Sequence, residues 1–428
     1  MRRPHRARFV PLTAASAVIA LAVAACGTTS ASTTSSTSSA KPITVGISLP
    51  LTGSFAADGQ ATQNGYKLWA SDVNTNGGLL GRPVRLKIMD DKSNEKLVTS
   101  QYTQLITQDH VNLTLAPFST LLTSDALPPT AKYGYALPAG SATGGLVFGA
   151  VPGSHTFHNL FSVSVPVAVD MVPFATWVTH SLPANLKQTA AYPQVDDPFA
   201  DPPVQATQAT LERAHVQTVY SNSAHPADPA KPAQIKTAAA DVASKKPEIV
   251  VIGSVDLPTL LIFVHTFQAM HYTPKVMIAA SGPDQGQAFL NTLNPANAQG
   301  IMVPDAWSGS TQNALSHVMV QDYIAKFGGT SSDINADVAE AYSAGEVLAD
   351  AVTGTHSVNN AKIISYLHTL HTSLQTVQGP VKFTSIGANH AQTGFIYQWQ
   401  NGQFVQVLGA AKNPATALAP KPQWSQGG

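Results

Sequence analysis

The sequence predicts an α/β protein made of two doubly wound parallel-sheet lobes with a cleft between them. Three observations lead to this. Short β-branched runs alternate with helix-length amphipathic segments from Pro42 to Ala280. The pattern breaks near 152–161 and then starts again. About 385 residues follow residue 40, enough for two domains of ordinary size.

The elements follow in order. Pro42–Leu49 alternates and is β-branched, as a strand does. Gln60–Asn74 carries Ala61, Tyr66, Leu68, Trp69 and Val73 at helical spacing, and Gly77-Gly78 and Gly81 stop it. Val84–Met89 is a strand, Leu97–Gln108 a helix and Val111–Ala116 a strand. After the break, Val169–His180 reads as a helix, Thr189–Tyr192 as a strand and Pro203–Ala214 as a helix. Val216–Tyr220 is a strand, Ile235–Lys245 a helix, and Ile249–Gly253 an apolar run typical of a strand buried on both faces. Leu257–Met270 and Glu340–Val352 are helices, with the strand Lys275–Ala280 between them. Val381–Phe383 is extended, and Asn401-Gly402 joins Phe395–Trp399 to Phe404–Val407 as a hairpin. Residues 411–428 are rich in Pro, Ala and Gly and read as a loose tail.

Ligands of doubly wound sheets sit beyond the carboxyl ends of the strands. Here those ends are Pro50–Gly59, Pro117–Thr123, Gly140–Gly145, Pro193–Asp201, Gly253–Asp256 and Ser281–Gln285, all rich in Gly, Ser, Thr and Pro.

The chain opens with Arg2, Arg3, Arg6 and Arg8 and an Ala-, Val-, Leu-rich stretch to Ala25, the plan of a secretory signal peptide over residues 1–25. Val23-Ala24-Ala25-Cys26-Gly27 resembles the lipobox of bacterial lipoproteins, in which the cysteine sulfur takes a diacylglyceryl group and the chain is cut just before it. Cys26 is the only cysteine, so no disulfide forms within one chain. Residues 26–40 are almost purely Ser, Thr and Ala and read as a solvated, lipidated tether. The expected location is the outer face of the cytoplasmic membrane, with the body held there by lipid alone. Losing the leader removes four of 24 basic residues and none of the 24 acidic ones, a net charge of −4. That balance argues against nucleic acid or an anionic membrane surface as partner. Charged residues are only 11% of the chain, against roughly 25% in soluble domains, so Ser, Thr, Gln and Asn carry the surface.

Several strings resemble the branched-chain amino acid-binding proteins of bacterial ABC importers. They are Leu49-Pro50-Leu51-Thr52-Gly53, Asn76-Gly77-Gly78-Leu79-Leu80-Gly81-Arg82, Asp90-Asp91-Lys92-Ser93-Asn94, Ala116-Pro117-Phe118-Ser119, Lys246-Pro247-Glu248-Ile249-Val250-Val251 and Gln378-Gly379-Pro380-Val381-Lys382-Phe383. They run in the family's order across nearly the whole folded body. The resemblance implies a type I periplasmic-binding-protein fold whose lobes are joined by three crossings. It places 43–160 plus 308–378 in lobe 1 and 161–307 plus 379–410 in lobe 2. It implies a membrane permease with cytoplasmic ATPases as partner and a small-molecule ligand, with no cofactor and a monomeric binder. Relatives take aliphatic and aromatic amino acids, amides, urea and aromatic acids, so the ligand stays open.

The same resemblance assigns the pocket. The head of an amino acid falls to Thr120, beside Ser119, and to Ser141, with Thr143 two residues on. Hydroxyls and backbone N–H groups there suit a carboxylate; the plain alternative is turn or N-cap duty. Phe199 in Asp197-Pro198-Phe199-Ala200-Asp201 stands where relatives carry an aromatic that packs on the ligand, although the usual glycine is missing. Asp284 matches an acid that meets the ligand's ammonium, and Asp256 is a second candidate. Phe55 and Asp58 fall where relatives shape the side-chain pocket, and Asp58 favours a polar, amide or basic guest over an aliphatic one. Trp307 belongs either to the cleft mouth or to a core. No arginine stands in a pocket loop, so a bidentate clamp on phosphate is not expected.

Three other readings compete. For an enzyme, no Gly-x-Ser-x-Gly elbow or phosphate loop stands at a strand–helix turn, and Asp90-Asp91 suits helix capping better than acid–base work. For a metal binder, the nearest pairs are His155 with His158, His265 with His271 and His368 with His371, without an evident third ligand. A ligand-sensing lipoprotein uncoupled from transport differs from an importer only in its partner.

Overall fold

A computed structural model describes residues 41–151, 153–309, 311, 313–409 and 414–425. The leader, Cys26 and the Ser/Thr-rich segment lie outside the described residues.

The first lobe is built on β1 (Ile43–Leu49), which lies between β2 (Val84–Asp90) and β3 (Leu113–Thr114), all parallel. Beside them β4 (Leu137–Ala139) pairs in parallel with β5 (Leu160–Ser162). The second lobe is a seven-stranded sheet. Its parallel part contains β6 (Thr189–Tyr192), β7 (Gln217–Ser221), β8 (Ile249–Ile252), β9 (Val276–Ala279) and β10 (Ile301–Asp305), in the order β10-β9-β8-β6-β7. The hairpin Phe395–Gln400 and Gln403–Leu408 adds to it antiparallel through β10, with the turn at Asn401 and Gly402. The alternation of β8 shows why the sheet is covered twice. Val250 and Ile252 pack with Phe263 and Phe267 on one face, whereas Ile249 and Val251 pack with Phe174 and Val204 on the other.

Helix Ala336–Thr355 lies along helix Ala56–Thr75 and closes the first lobe. A side chain at Gly345 would begin 2.4 Å from the Trp69 ring, so glycine is what lets the two helices meet. Helix Thr120–Lys132 contains Pro128 and Pro129, which conceal it from a propensity reading. The helix expected at Val169–His180 is two helices, Val167–Asp170 and Val172–His180. Pro173 lacks the amide and crowds the carbonyl four residues back, which breaks the run at Met171. Asp90 and Asp91 tie the loop after β1: Asp90 accepts from the amides of Leu51 and Lys92, Asp91 from Ser48 and Ser93.

The chain leaves the first lobe after β5, returns to it after β10 and leaves it again before the hairpin. Strand Gly379–Val381 pairs with Leu374–Thr376, and Val381 and Phe383 join the apolar cluster of the first sheet, so this segment packs on the first lobe and the chain crosses after it. Trp307 is fully buried, packed with Met319 and Tyr323, and its Nε1 donates to Ser316 Oγ, so it is a core aromatic.

Residues 414–425 are docked on the second lobe, where composition alone had pointed to a loose tail. Lys421 N donates to Lys275 O, Trp424 Nε1 donates to Tyr272 O, and Lys421 Nζ lies 3.6 Å from the Trp424 ring centroid. One buried indole with a satisfied N–H outweighs the poor propensity of the segment. Replacing Trp424 by alanine is expected to lower the free energy of unfolding in urea by about 3 kcal/mol, with the first lobe's packing unchanged in its near-UV spectrum.

Candidate functional site

The interlobe cleft holds a cavity of about 110 Å³. All six strand-end loops named from the sequence reach it, through Phe55 and Asp58, Phe118 and Ser119, Ser141 and Thr143, Asp197 and Phe199, Val255, and Ser281 and Asp284. Doubly wound topology imposes this, because every parallel strand ends on the same side.

Ser119 sits at φ 74 and caps helix Thr120–Lys132 by accepting from Leu122 N. Its own amide donates to Ser141 Oγ. Both hydroxyls are thus engaged as acceptors and keep their protons for a ligand. Thr143 is 5% exposed, lines the cleft, and its Oγ1 has no partner. Thr120 stands behind this group. It is fully buried, does not line the cleft, and its Oγ1 accepts from the amides of Thr143 and Gly144. It therefore shapes the loop that presents Ser141 and Thr143.

Phe55 and Phe118 form one apolar wall, with ring centroids 5.7 Å apart. Phe199 lines the cleft from the second lobe, where Asp197 Oδ1 accepts from the Phe199 and Ala200 amides and makes the turn without the missing glycine. Asp256 is not part of the lining. It caps helix Leu257–Ala269 by accepting from Thr259 N, so Asp284 is the one of the two that borders the cleft.

The sequence reading missed the residues brought in by the crossings and by the start of helix Ala336–Thr355. Ser164, Ala306 and Gly394, one from each crossing, line the cleft. So do Asp337 and Glu340 from the helix, and Asp170 and Asp305 from the second lobe. With Asp58, Asp197 and Asp284 they make seven carboxyl groups, and no Lys, Arg or His lines the cleft among the described residues. The one sequence signal was the cap Asn335, followed by acids at spacing three on the buried side of a helix.

Their environment favours the neutral form. Burial, aided by the charges of Asp284 and Asp256, pushes Asp58 up to about 8. Burial pushes Glu340 up to about 7, although the Ser164 hydroxyl donates to its Oε1 at 2.8 Å. Burial raises Asp197 to about 6. Asp305 and Asp337 are held well above the usual carboxylate range, first by burial and then by neighbouring acids. Asp284 is raised by burial against the bond from Gly282 N.

The lobes touch across the cleft. Gln285 of the second lobe accepts from Asn335 Nδ2 at 3.0 Å and donates to Asp337 Oδ2 at 3.4 Å. A Cβ at Gly144 would lie 2.3 Å from Pro198 O. The structure is a closed form in which glycine permits backbone to meet backbone.

Two α/β lobes closed over a polar cleft define a solute-capturing receptor fold. The model of the periplasmic binding protein family matches residues 42–403, and the chain belongs to that family. The fold is similar to that of the branched-chain amino acid transporter substrate binding protein LivJ from Streptococcus pneumoniae in complex with isoleucine, with TM-score 0.72 and 20% identity over 86% of this chain and 100% of that one. It is similar also to a solute binding protein from R. palustris in complex with benzoate, with TM-score 0.72 and 16% identity over 88% and 99%. A Leu/Ile/Val-binding protein of Rhizobium johnstonii is 32% identical over 78 residues, which span 18% of this chain and 21% of that protein.

Between the unfolded-chain value of 3.8 and the native value of about 8, Asp58 holds a proton in the native state that the unfolded chain has released. The native state is therefore favoured at low pH, and that contribution is lost as pH rises through the native value. Glu340 and Asp197 act in the same direction. The melting temperature of the ligand-free protein is expected to fall from pH 5 to pH 7. Calorimetric scans of Asp58→Asn should show a shallower fall, whereas identical slopes would refute the assignment.

Proposed function

We propose that this protein is an extracellular solute-binding lipoprotein that captures an amino acid or a related small carboxylate or amide between its lobes and passes it to an ABC permease driven by cytoplasmic ATPases. The observation that carries this reading is the set of hydroxyls at Ser119, Ser141 and Thr143, gathered at the start of a helix inside a cleft that both lobes line. Two of them have protons to donate, the third has no partner, and the helix end adds partial positive charge, a setting for a carboxylate. Phe55, Phe118 and Phe199 supply apolar cover, and Asp284 supplies an acceptor for an amino group. Membership of the periplasmic binding protein family supports the capture role, and the partner follows from that role. Among the described residues no helix is long and apolar enough to cross a membrane. Attachment falls to a diacylglyceryl group on Cys26, and the working state is a monomer.

The experiment is thermal unfolding of the purified protein against amino acids, amides and aromatic acids. A ligand at about 100 times its Kd should add roughly 2.7 kcal/mol to the stability of the folded state. No shift with any member would overturn the reading. In the same assay Gly144→Ala should bind the active ligand more weakly, because a methyl group against Pro198 O costs the closed form about 1–3 kcal/mol. For the anchor, Cys26→Ala should move the protein from the membrane fraction to the medium; retention on the membrane would rule the lipid out.

A further inference from the structure

We propose that the solute is a small organic cation with one carboxylate and at least two separated positive groups, of the dibasic amino acid class. The inference rests on the proposed solute-binding role of the cleft and specifies what the cleft accepts.

Charge is the first argument. Asp58, Asp337 and Glu340 come from the first lobe and Asp284 and Asp305 from the second, and no cationic side chain among the lining residues answers them. A neutral or acidic guest leaves these acids protonated and unused, whereas a cationic guest offers their ionised forms a partner. A single ammonium group engages one or two carboxylates, whereas here acids line both walls.

Orphaned polar atoms are the second, independent argument. Thr143 Oγ1, Asp170 Oδ1 and Asp305 Oδ2 are buried atoms with no hydrogen-bond partner, and all three residues line the cleft. Buried polar groups in folded proteins are paired, so a set of unpaired ones on residues that line one cleft marks where a ligand's groups belong. The set is mixed in kind. A hydroxyl among hydroxyls suits a carboxylate, and carboxylate oxygens suit N–H donors. The ligand must therefore carry acceptors at one end and donors elsewhere. A simple diamine lacks the first, and leucine carries donors only on the ammonium beside its carboxylate, with none on its side chain.

A metal ion is a poor match for this geometry. Among the described residues no three His, Cys, Asp or Glu side chains come together to hold one. The acids come from both lobes, as a guest with two separated positive groups requires.

The environment of the acids provides a readout that a passive wall would not. Burial first, and then the charges of Asp284 and Asp256, raise Asp58, and burial followed by Asp284 raises Glu340 against the bond from Ser164, so each is protonated over part of the neutral range in the ligand-free protein. A cation entering the cleft lowers their proton affinity and drives protons out.

The test is titration calorimetry of the purified protein with arginine, lysine, ornithine, leucine, glutamine, putrescine, calcium and magnesium, at pH 6.5 in two buffers of different ionisation enthalpy. At least one dibasic amino acid is expected to bind about 30-fold or more tightly than leucine, glutamine and putrescine. Its heat should differ between buffers, reporting proton release, and its affinity should rise towards pH 8. Asp284→Asn and Asp58→Asn, each shown to be folded by its melting transition, should weaken that ligand by about 30-fold. Tighter binding of leucine or glutamine would overturn this inference and leave solute capture standing. Equal binding of putrescine would overturn the carboxylate end, and a response to the metals alone would overturn the organic cation. Silence from these solutes and from the wider panel of amides and aromatic acids would overturn the capture reading as well.

Discussion

Seven carboxyl groups held in one cleft without a positive side chain beside them form the constraint to which the rest of the site answers. Each of them resists ionisation when water is excluded, and each neighbour makes ionisation harder. The protein tolerates this because the supporting walls are tied by other bonds. Ser164 donates to Glu340, Gly282 N donates to Asp284, and Gln285 with Asn335 holds Asp337. The two sheets beneath are covered on both faces by apolar side chains, so the cleft can spend stability on polarity that a smaller core could not supply. The same arrangement links closure to protonation, since Asp337 serves both as a wall of the cleft and as one end of the contact between lobes.

Much of this was legible in the sequence because it follows from local rules. Parallel strands in alternation with helices must end on one side, and the six loops read at those ends all reach the cleft. Ser119, Ser141 and Thr143, which line the cleft, could be named from the strings around them. Thr120 was harder. Both it and Ser119 stand at the head of the same helix, and only the φ of 74 at Ser119 settles which hydroxyl opens on the cleft and which one turns inward to the amides of Thr143 and Gly144.

What stayed hidden depends on distant pairing. Asp337 and Glu340 stand in the first turns of a helix about 280 residues downstream of Asp58, and their meeting is a product of chain crossing. No local period records that. The tail was concealed for a related reason. Composition sees proline and alanine at 414–425, whereas the docking depends on one indole finding Tyr272 O and on a backbone bond to Lys275. The break at Met171 was written in Pro173, but an apolar repeat running through it masked the signal.

The position of β1 has a mechanical consequence. It is the first element of the folded body and also the middle strand of its sheet, with β2 on one side and β3 on the other. A pull applied to the chain at Lys41 along the strand direction would run the length of β1. The load then falls in shear on two ladders at once, rather than peeling an edge strand bond by bond. Such a load would enter through the sheet of the first lobe, leaving the seven-stranded sheet of the second lobe outside its path.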